Sequence, residues 1–251
     1  SRGYGGSARD PQRARADGDP RAVGDEAVLL ARRCACPVWI ARSRVAAAQA
    51  LLAAHPECNV IVSDDGLQHY ALKRAVEIVV LDGERGCGNG MLLPAGPLRE
   101  PVHRLRNVDA LVVNGGALFA PATLPSDVPA IDMRLNGATF HALRDAQRTA
   151  DPGHFAGRTV CAIAGIGNPQ RFFNHLHELG IVFTARGFPD HHEYTPADCD
   201  FGAATTVIMT EKDAVKCERL AGENADWWAL RVDATVDPAL GEIILRKIGK
   251  K

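Results

Sequence analysis

An excess of charge of either sign is missing from this chain. Lys and Arg number 29 against 30 Asp and Glu, a formal net charge of −1. A protein with that balance has no bulk positive charge with which to grip nucleic acid. Cysteine is sparse: seven residues, too scattered for a disulfide framework, with Cys34 and Cys36 too close together for a CxxC pair and no second cluster to complete a zinc site. The compartment expected from that usage is a reducing one. No apolar run approaches the ~20 residues of a membrane-spanning helix, and no secretory signal pattern occurs. The phosphate-cradling loop G-x-x-x-x-G-K-S/T is also missing; the one Gly-Lys pair is Gly249-Lys250, in the tail. The chain begins Ser1-Arg2-Gly3-Tyr4 with no initiator Met, so further N-terminal sequence is expected.

What is present is ordinary globular composition. The 251 residues are 46% hydrophobic and 24% charged, enough chain to bury a full core as one large domain or two modest ones. Residues 1–21, rich in Gly, Arg, Asp and Pro with no apolar period, read as a loop. Residues 27–33 and 42–55 read as helices, and 37–41, 75–82 and 108–114 as strands, the 75–82 run (AVEIVVLD) being of the buried parallel type. That alternation indicates a doubly wound α/β sheet. Residues 119–157, rich in Pro, Asp and Ala, read as a linker. A second α/β unit follows: strand 159–164, turn 165–169, helix 170–179, strand 181–188, a strand-to-helix junction at 207–213, and a last strand at 227–232. The domains expected are therefore 1–118, a linker at 119–157 and a smaller domain at 158–251.

The chain is organised around residues 59–69, NVIVSDDGLQH. Four residues suited to a buried strand run into Asp64 and Asp65, and Gly66 breaks the run. A strand ending in adjacent carboxylates puts negative charge at the carboxyl edge of a sheet, where open α/β folds bind ligands. In nucleotide-handling proteins this is the Walker B arrangement, whose acidic residue serves Mg²⁺. The structural alternative is a strand followed by an Asp-Gly turn. Asp25 and Glu26 precede a helix, where acids complement the dipole, and Asp190-His191-His192 follow a strand. If these groups converge at one edge, carboxylates around Mg²⁺ with a base beside a hydroxyl form the inventory of phosphoryl transfer. Zinc held by His191 and His192 is the competing idea, but neighbouring residues seldom ligate one ion and no third ligand stands at motif spacing; His192 reads better as a hydrogen-bonding residue at a helix start. Gly165-Ile166-Gly167 lacks the third glycine of a dinucleotide fingerprint, and no acid ends the next strand. The loop at 83–101 has five glycines and three prolines around Met91-Leu92-Leu93; the apolar triplet either plugs the core or meets a lipid surface.

These blocks resemble the tetraacyldisaccharide 4′-kinase family, the lipid A kinases of Gram-negative bacteria. SRGYGG (1–6), VGDEA (23–27), SDDGLQH (63–69), GNGMLLPAGPLREP (88–101), AGIGNPQRFF (164–173), FPDHH (188–192) and MTEKDAVKC (209–217) occur in the family's order and span nearly the whole chain. The resemblance implies a P-loop NTPase-like parallel sheet core, here lacking its Walker A segment, with a second, smaller α/β domain. It implies transfer of the γ-phosphate of ATP to the 4′-hydroxyl of a tetraacyldisaccharide 1-phosphate lipid, with Mg²⁺, at the cytoplasmic face of the bacterial inner membrane. By motif, Asp25 is the base and His191 orients and polarises it; Glu26, Asp64 and Asp65 serve Mg²⁺; Arg44 and Arg99 contact phosphate or the lipid head group. Ala27 stands where the family usually has proline. Two other readings stay open: a different P-loop NTPase, and a lipid-binding fragment without catalysis.

Overall fold

The computed structural model of the protein describes residues 10–115, 124–202, 206–222 and 225–249. The block at 1–6 lies outside the described residues, as do 119–123 of the expected linker. In chain order the elements are β1 (Gln12–Ala14), α1 (Pro20–Val23), α2 (Asp25–Arg33), β2 (Val38–Ile40), α3 (Arg44–Ala54), β3 (Ile78–Asp82), β4 (Ala110–Asn114), β5 (Ala130–Ala142) and β6 (Thr149–Ala150). They continue with β7 (Val160–Ala164), α4 (Pro169–Glu178), β8 (Thr184–Gly187), β9 (Thr206–Thr210), α5 (Glu211–Cys217), β10 (Trp227–Val236) and α6 (Ala239–Ile248).

Two compact units emerge, each assembled from two stretches of chain: Ser1–Gly66 with Gly137–Val232, and Leu67–Asn136 with Asp233–Lys251. The boundaries expected from sequence, 1–118, 119–157 and 158–251, run along the chain and do not follow this division. The residues read as a linker hold β5, β6 and a short 3₁₀ turn at Pro152–Phe155. Composition misleads there because β5 is exposed along much of its length, so its polar residues mimic a loop.

In the first unit β7 is flanked in parallel by β8 and β9, with Cys161 opposite Thr184 and Val207, and β10 adds in parallel beyond β9. All five residues of β7 are buried, as a strand covered on both faces requires. The core packs Ala162, Ala164, Phe172, Phe173, Leu176, Ile208 and Trp228, with the helix α4 started by the Asn168 side chain, which accepts from Arg171 N–H, and by Pro169 at its first position. Residues 10–21, expected as loop, contain β1, which pairs antiparallel with β2 (Gln12 opposite Ile40), and α1, which starts on Asp19 and Pro20. The Asp-Pro start was a legible signal; three residues of QRA pairing with a distant strand were not.

The strand expected over 59–62 does not form: no described strand pairs with it, and Val62 is 91% exposed. An extended segment becomes a strand only where its N–H and C=O groups find a ladder. Helix α3 is likewise without a buried residue. In the second unit β3, β4 and β5 run parallel, with Val79 opposite Leu111 and Val112 opposite Ile131. β4 is fully buried, whereas β3 exposes Val80. The 83–101 loop braces itself through Leu93 N–H to Leu98 O (2.8 Å), Gly96 N–H to Leu92 O (3.0 Å) and Asn89 Nδ2 to Ala95 O (2.9 Å). Met91, Leu92 and Leu93 are 55%, 44% and 61% exposed, so they do not plug the core.

Candidate active site

The site is built in the first unit, where two helix starts meet. Gly24 ends α1 and begins α2 with φ 92°, and its N–H bonds back to Pro20 O at 2.8 Å. A side chain is strained in that conformation, so glycine makes the corner that puts Asp25 and Glu26 in the first turn of α2. Asp25 is 6% exposed, an uncommon degree of burial for a carboxylate. Its Oδ1 accepts the Glu26 N–H at 2.9 Å, and its Oδ2 lies 3.8 Å from His191 Nδ1.

His191 follows β8 and has φ 58°. Its Nε2 is 3.7 Å from Asp190 Oδ2, so each ring nitrogen faces a carboxylate. Among the described residues the non-glycine positions with positive φ are His191 and Asp65, both candidate site residues. Such conformations cost ~1–3 kcal/mol and collect at functional sites. His192 points to structure instead: its Nε2 is 3.2 Å from Asp198 Oδ2, and its ring stacks on Phe188 at 4.7 Å. That is the hydrogen-bonding role expected of it.

Asp64 and Asp65 follow the extended run at 59–62. The Asp64 carboxyl keeps solvent contact yet is pushed above its ordinary pKa, first by partial desolvation, then by the negative charges of Asp65 and Glu26, with Arg44 opposing. The charge of Glu26 thus reaches Asp64, while the Glu26 carboxylate itself is paired with Lys212 at 3.0 Å. Arg44, the first residue of α3, donates to the backbone O of Asp65 and so shapes the turn carrying the carboxylates. Arg99 belongs to the other unit, where its Nη1 is 3.4 Å from Gln68 Oε1.

Helix α5 supplies residues to which the sequence reading gave no role. Lys212 Nζ is 3.0 Å from Glu26 Oε1 and 3.6 Å from Asp190 Oδ1. Burial works to lower its pKa, and the carboxylates of Glu26, Asp25 and Asp190 outweigh it, so the net direction is upward. One turn on, Lys216 Nζ is 3.9 Å from Asp25 Oδ2 and 3.1 Å from Asp213 Oδ1. Asp213 is fully buried; its Oδ2 accepts the Gly165 N–H at 3.1 Å and the Thr210 hydroxyl at 2.6 Å. Gly165 is glycine because a Cβ there would lie 2.9 Å from Tyr194 Oη and 3.1 Å from Asp213 Oδ1. Tyr194 is held strongly neutral, its pKa raised by burial and then by Asp213.

The oxygens of Glu26, Asp64 and Asp65 are the hard, anionic donors that Mg²⁺ prefers, although among the described residues no three acidic, histidine or cysteine side chains stand together as a group able to hold a metal ion. The donor chemistry fits the ion. The buried carboxylate beside a histidine fits proton abstraction from a hydroxyl.

The family model for tetraacyldisaccharide-1-P 4′-kinase matches residues 1–249. The chain is 52% identical over 255 residues to the tetraacyldisaccharide 4′-kinase of Chromobacterium violaceum, covering 100% of this chain and 74% of that one. It is 50% identical over 248 residues to the tetraacyldisaccharide 4′-kinase of Methylobacillus flagellatus, covering 99% and 71%. In structure it is similar to LpxK from Aquifex aeolicus crystallised with ATP: TM-score 0.78, 25% identity, 98% of this chain and 77% of that one.

Proposed function

Since the chain belongs to the tetraacyldisaccharide-1-P 4′-kinase family, we propose that it transfers the γ-phosphoryl group of ATP to the 4′-hydroxyl of a tetraacylated glucosamine disaccharide 1-phosphate. The fold is the family's α/β, P-loop NTPase-like one. The observation that carries the reading is the buried Asp25 at the start of α2, with His191 3.8 Å from its outer oxygen.

Asp25 takes the proton of the sugar hydroxyl as that oxygen bonds to phosphorus and the bond to the ADP oxygen breaks. His191 orients the carboxylate through Nδ1, and Asp190 flanks the ring at Nε2. Glu26, Asp64 and Asp65 would hold Mg²⁺, which when bound neutralises the charge of the transferring phosphate. Arg44 keeps the Asp64-Asp65 turn in place through the Asp65 carbonyl. Arg99 is read as a contact for phosphate or the lipid head group.

No helix among the described residues is long and apolar enough to cross a membrane. The partner surface proposed is the cytoplasmic face of the inner membrane, met peripherally. Support comes from the self-braced 83–101 loop, which presents Met91, Leu92 and Leu93 to solvent. Apolar triplets on a rigid loop are costly to leave in water. Replacing Leu92 and Leu93 by Ser should weaken flotation with anionic vesicles while leaving the fold intact; unchanged flotation removes the loop from this role.

The test of function is ³¹P NMR of the lipid product, with this chain and with the protein at the full length of its relatives. A new phosphomonoester at the 4′ position, absent when that hydroxyl is capped, is expected. ATP hydrolysis indifferent to the lipid would replace this reading with that of another P-loop NTPase. Lipid binding with no transfer at either length would leave a non-catalytic protein.

A further inference from the structure

Resting on that reading, we propose that Lys216 is a positioning residue for Asp25, itself aimed by the buried carboxylate of Asp213. The side chains of Lys216 and Asp25 are 11% and 8% exposed and stand 3.9 Å apart. Burying a carboxylate without a counter-charge is expensive, and Lys216 supplies one 3.9 Å from Oδ2. Asp25 Oδ1 is occupied by the Glu26 N–H, and Oδ2 is shared between His191 and Lys216. A carboxylate restrained at both oxygens holds one orientation toward a substrate hydroxyl.

The lysine is in turn restrained. Its Nζ faces Asp213 Oδ1 at 3.1 Å as a charge pair rather than an aligned hydrogen bond, and lies 5.1 Å from the centre of the Tyr194 ring. Asp213 accepts the amide of Gly165, in the turn between β7 and α4, and the hydroxyl of Thr210, which ends β9. Two sheet-to-helix turns therefore converge on one buried carboxylate, and that carboxylate directs a lysine at the proposed base. The ammonium does not touch the reacting atoms; it acts through Asp25. A neighbouring cation does not make a carboxylate more basic, so its contribution is orientation and charge balance. Misplacement of a reacting group by about 1 Å costs on the order of a hundredfold in rate.

The experiment uses the full-length protein with ATP and tetraacyl disaccharide. Lys216→Met removes the charge and keeps the stem against Tyr194. We expect kcat to fall about ten- to a hundredfold with KM for both substrates within about threefold, and Lys216→Arg to recover most of the loss. In an Asp25→Asn background the same Lys216→Met change should alter the residual rate less than about twofold, because the group it positions is gone. Asp213→Asn, which frees the lysine without touching Asp25, gives a second cycle should Lys216→Met fold poorly. A fall of equal size in both backgrounds, or kcat of Lys216→Met within about threefold of wild type, overturns the proposal. Wild-type protein unable to transfer phosphate overturns the functional reading, and this role with it.

Discussion

Asp213→Ala is the perturbation whose outcome follows most directly from the packing. The side chain is wholly buried and holds three groups: the Gly165 amide, the Thr210 hydroxyl and the Lys216 ammonium. Removing one partner of a buried ion pair costs about 3–5 kcal/mol, because the other charge is left behind. Orphaning an amide and a hydroxyl costs ~1–3 kcal/mol each. Local relaxation and water entry recover part of that sum, since Lys216 keeps a second carboxylate in Asp25 at 3.9 Å. We expect a net loss of about 4 kcal/mol, which lowers the melting temperature of a domain of this size by roughly 8–16 °C. The assay is intrinsic fluorescence, since Trp39, Trp227 and Trp228, the chain's three tryptophans, all belong to the unit that contains Asp213. Asp213→Asn keeps an acceptor for Gly165 and Thr210 and should lose about half as much. A melting temperature for Asp213→Ala within about 2 °C of wild type would refute the reasoning.

Asp198 is held at about 2, well below the ordinary carboxylate value, by the Thr195 hydroxyl and amide and then by His192. A depressed folded-state pKa contributes stability that is whole above about pH 4 and disappears as the pH falls toward 2. Asp198→Asn should therefore flatten the decline in melting temperature between pH 4 and pH 2; an unchanged acid limb would contradict this. Cys34 and Cys36 are exposed, whereas Cys87, Cys161 and Cys217 are buried and burial raises their thiol pKa. Iodoacetamide followed by peptide mass mapping should mark Cys34 and Cys36 first and reach the buried three only on unfolding. Early labelling of Cys217 would mean that α5 opens readily.

How far the chain could be read differs by element for physical reasons. Strands β7 and β9 were legible because a strand covered on both faces is apolar throughout, and the turn at 165–169 announced α4 with an Asn-Pro start. The run at 59–62 is as apolar as they are and forms no strand, because composition records a wish for burial and not the presence of a ladder partner. β1 is three residues whose only strand signature is a partner at residues 38–40. At the site, Asp25, His191 and the acidic residues were singled out through motifs, and the structure brings Asp25 within 3.8 Å of His191. Lys212, Asp213 and Lys216 were not. An acid in the first turn of a helix and lysines one turn apart describe any solvated helix face. Nothing in EKDAVKC says that Asp213 is buried and the lysines face inward.

The central claim is that Asp25, with His191, is the base that readies the 4′-hydroxyl. The most direct test is single-turnover transfer of labelled γ-phosphate to the tetraacyl disaccharide by the full-length protein and its Asp25→Asn and His191→Asn variants. The account predicts a loss of about a hundredfold or more for Asp25→Asn, a smaller loss for His191→Asn, and no further loss when both are combined. Transfer by Asp25→Asn at the wild-type rate would contradict it.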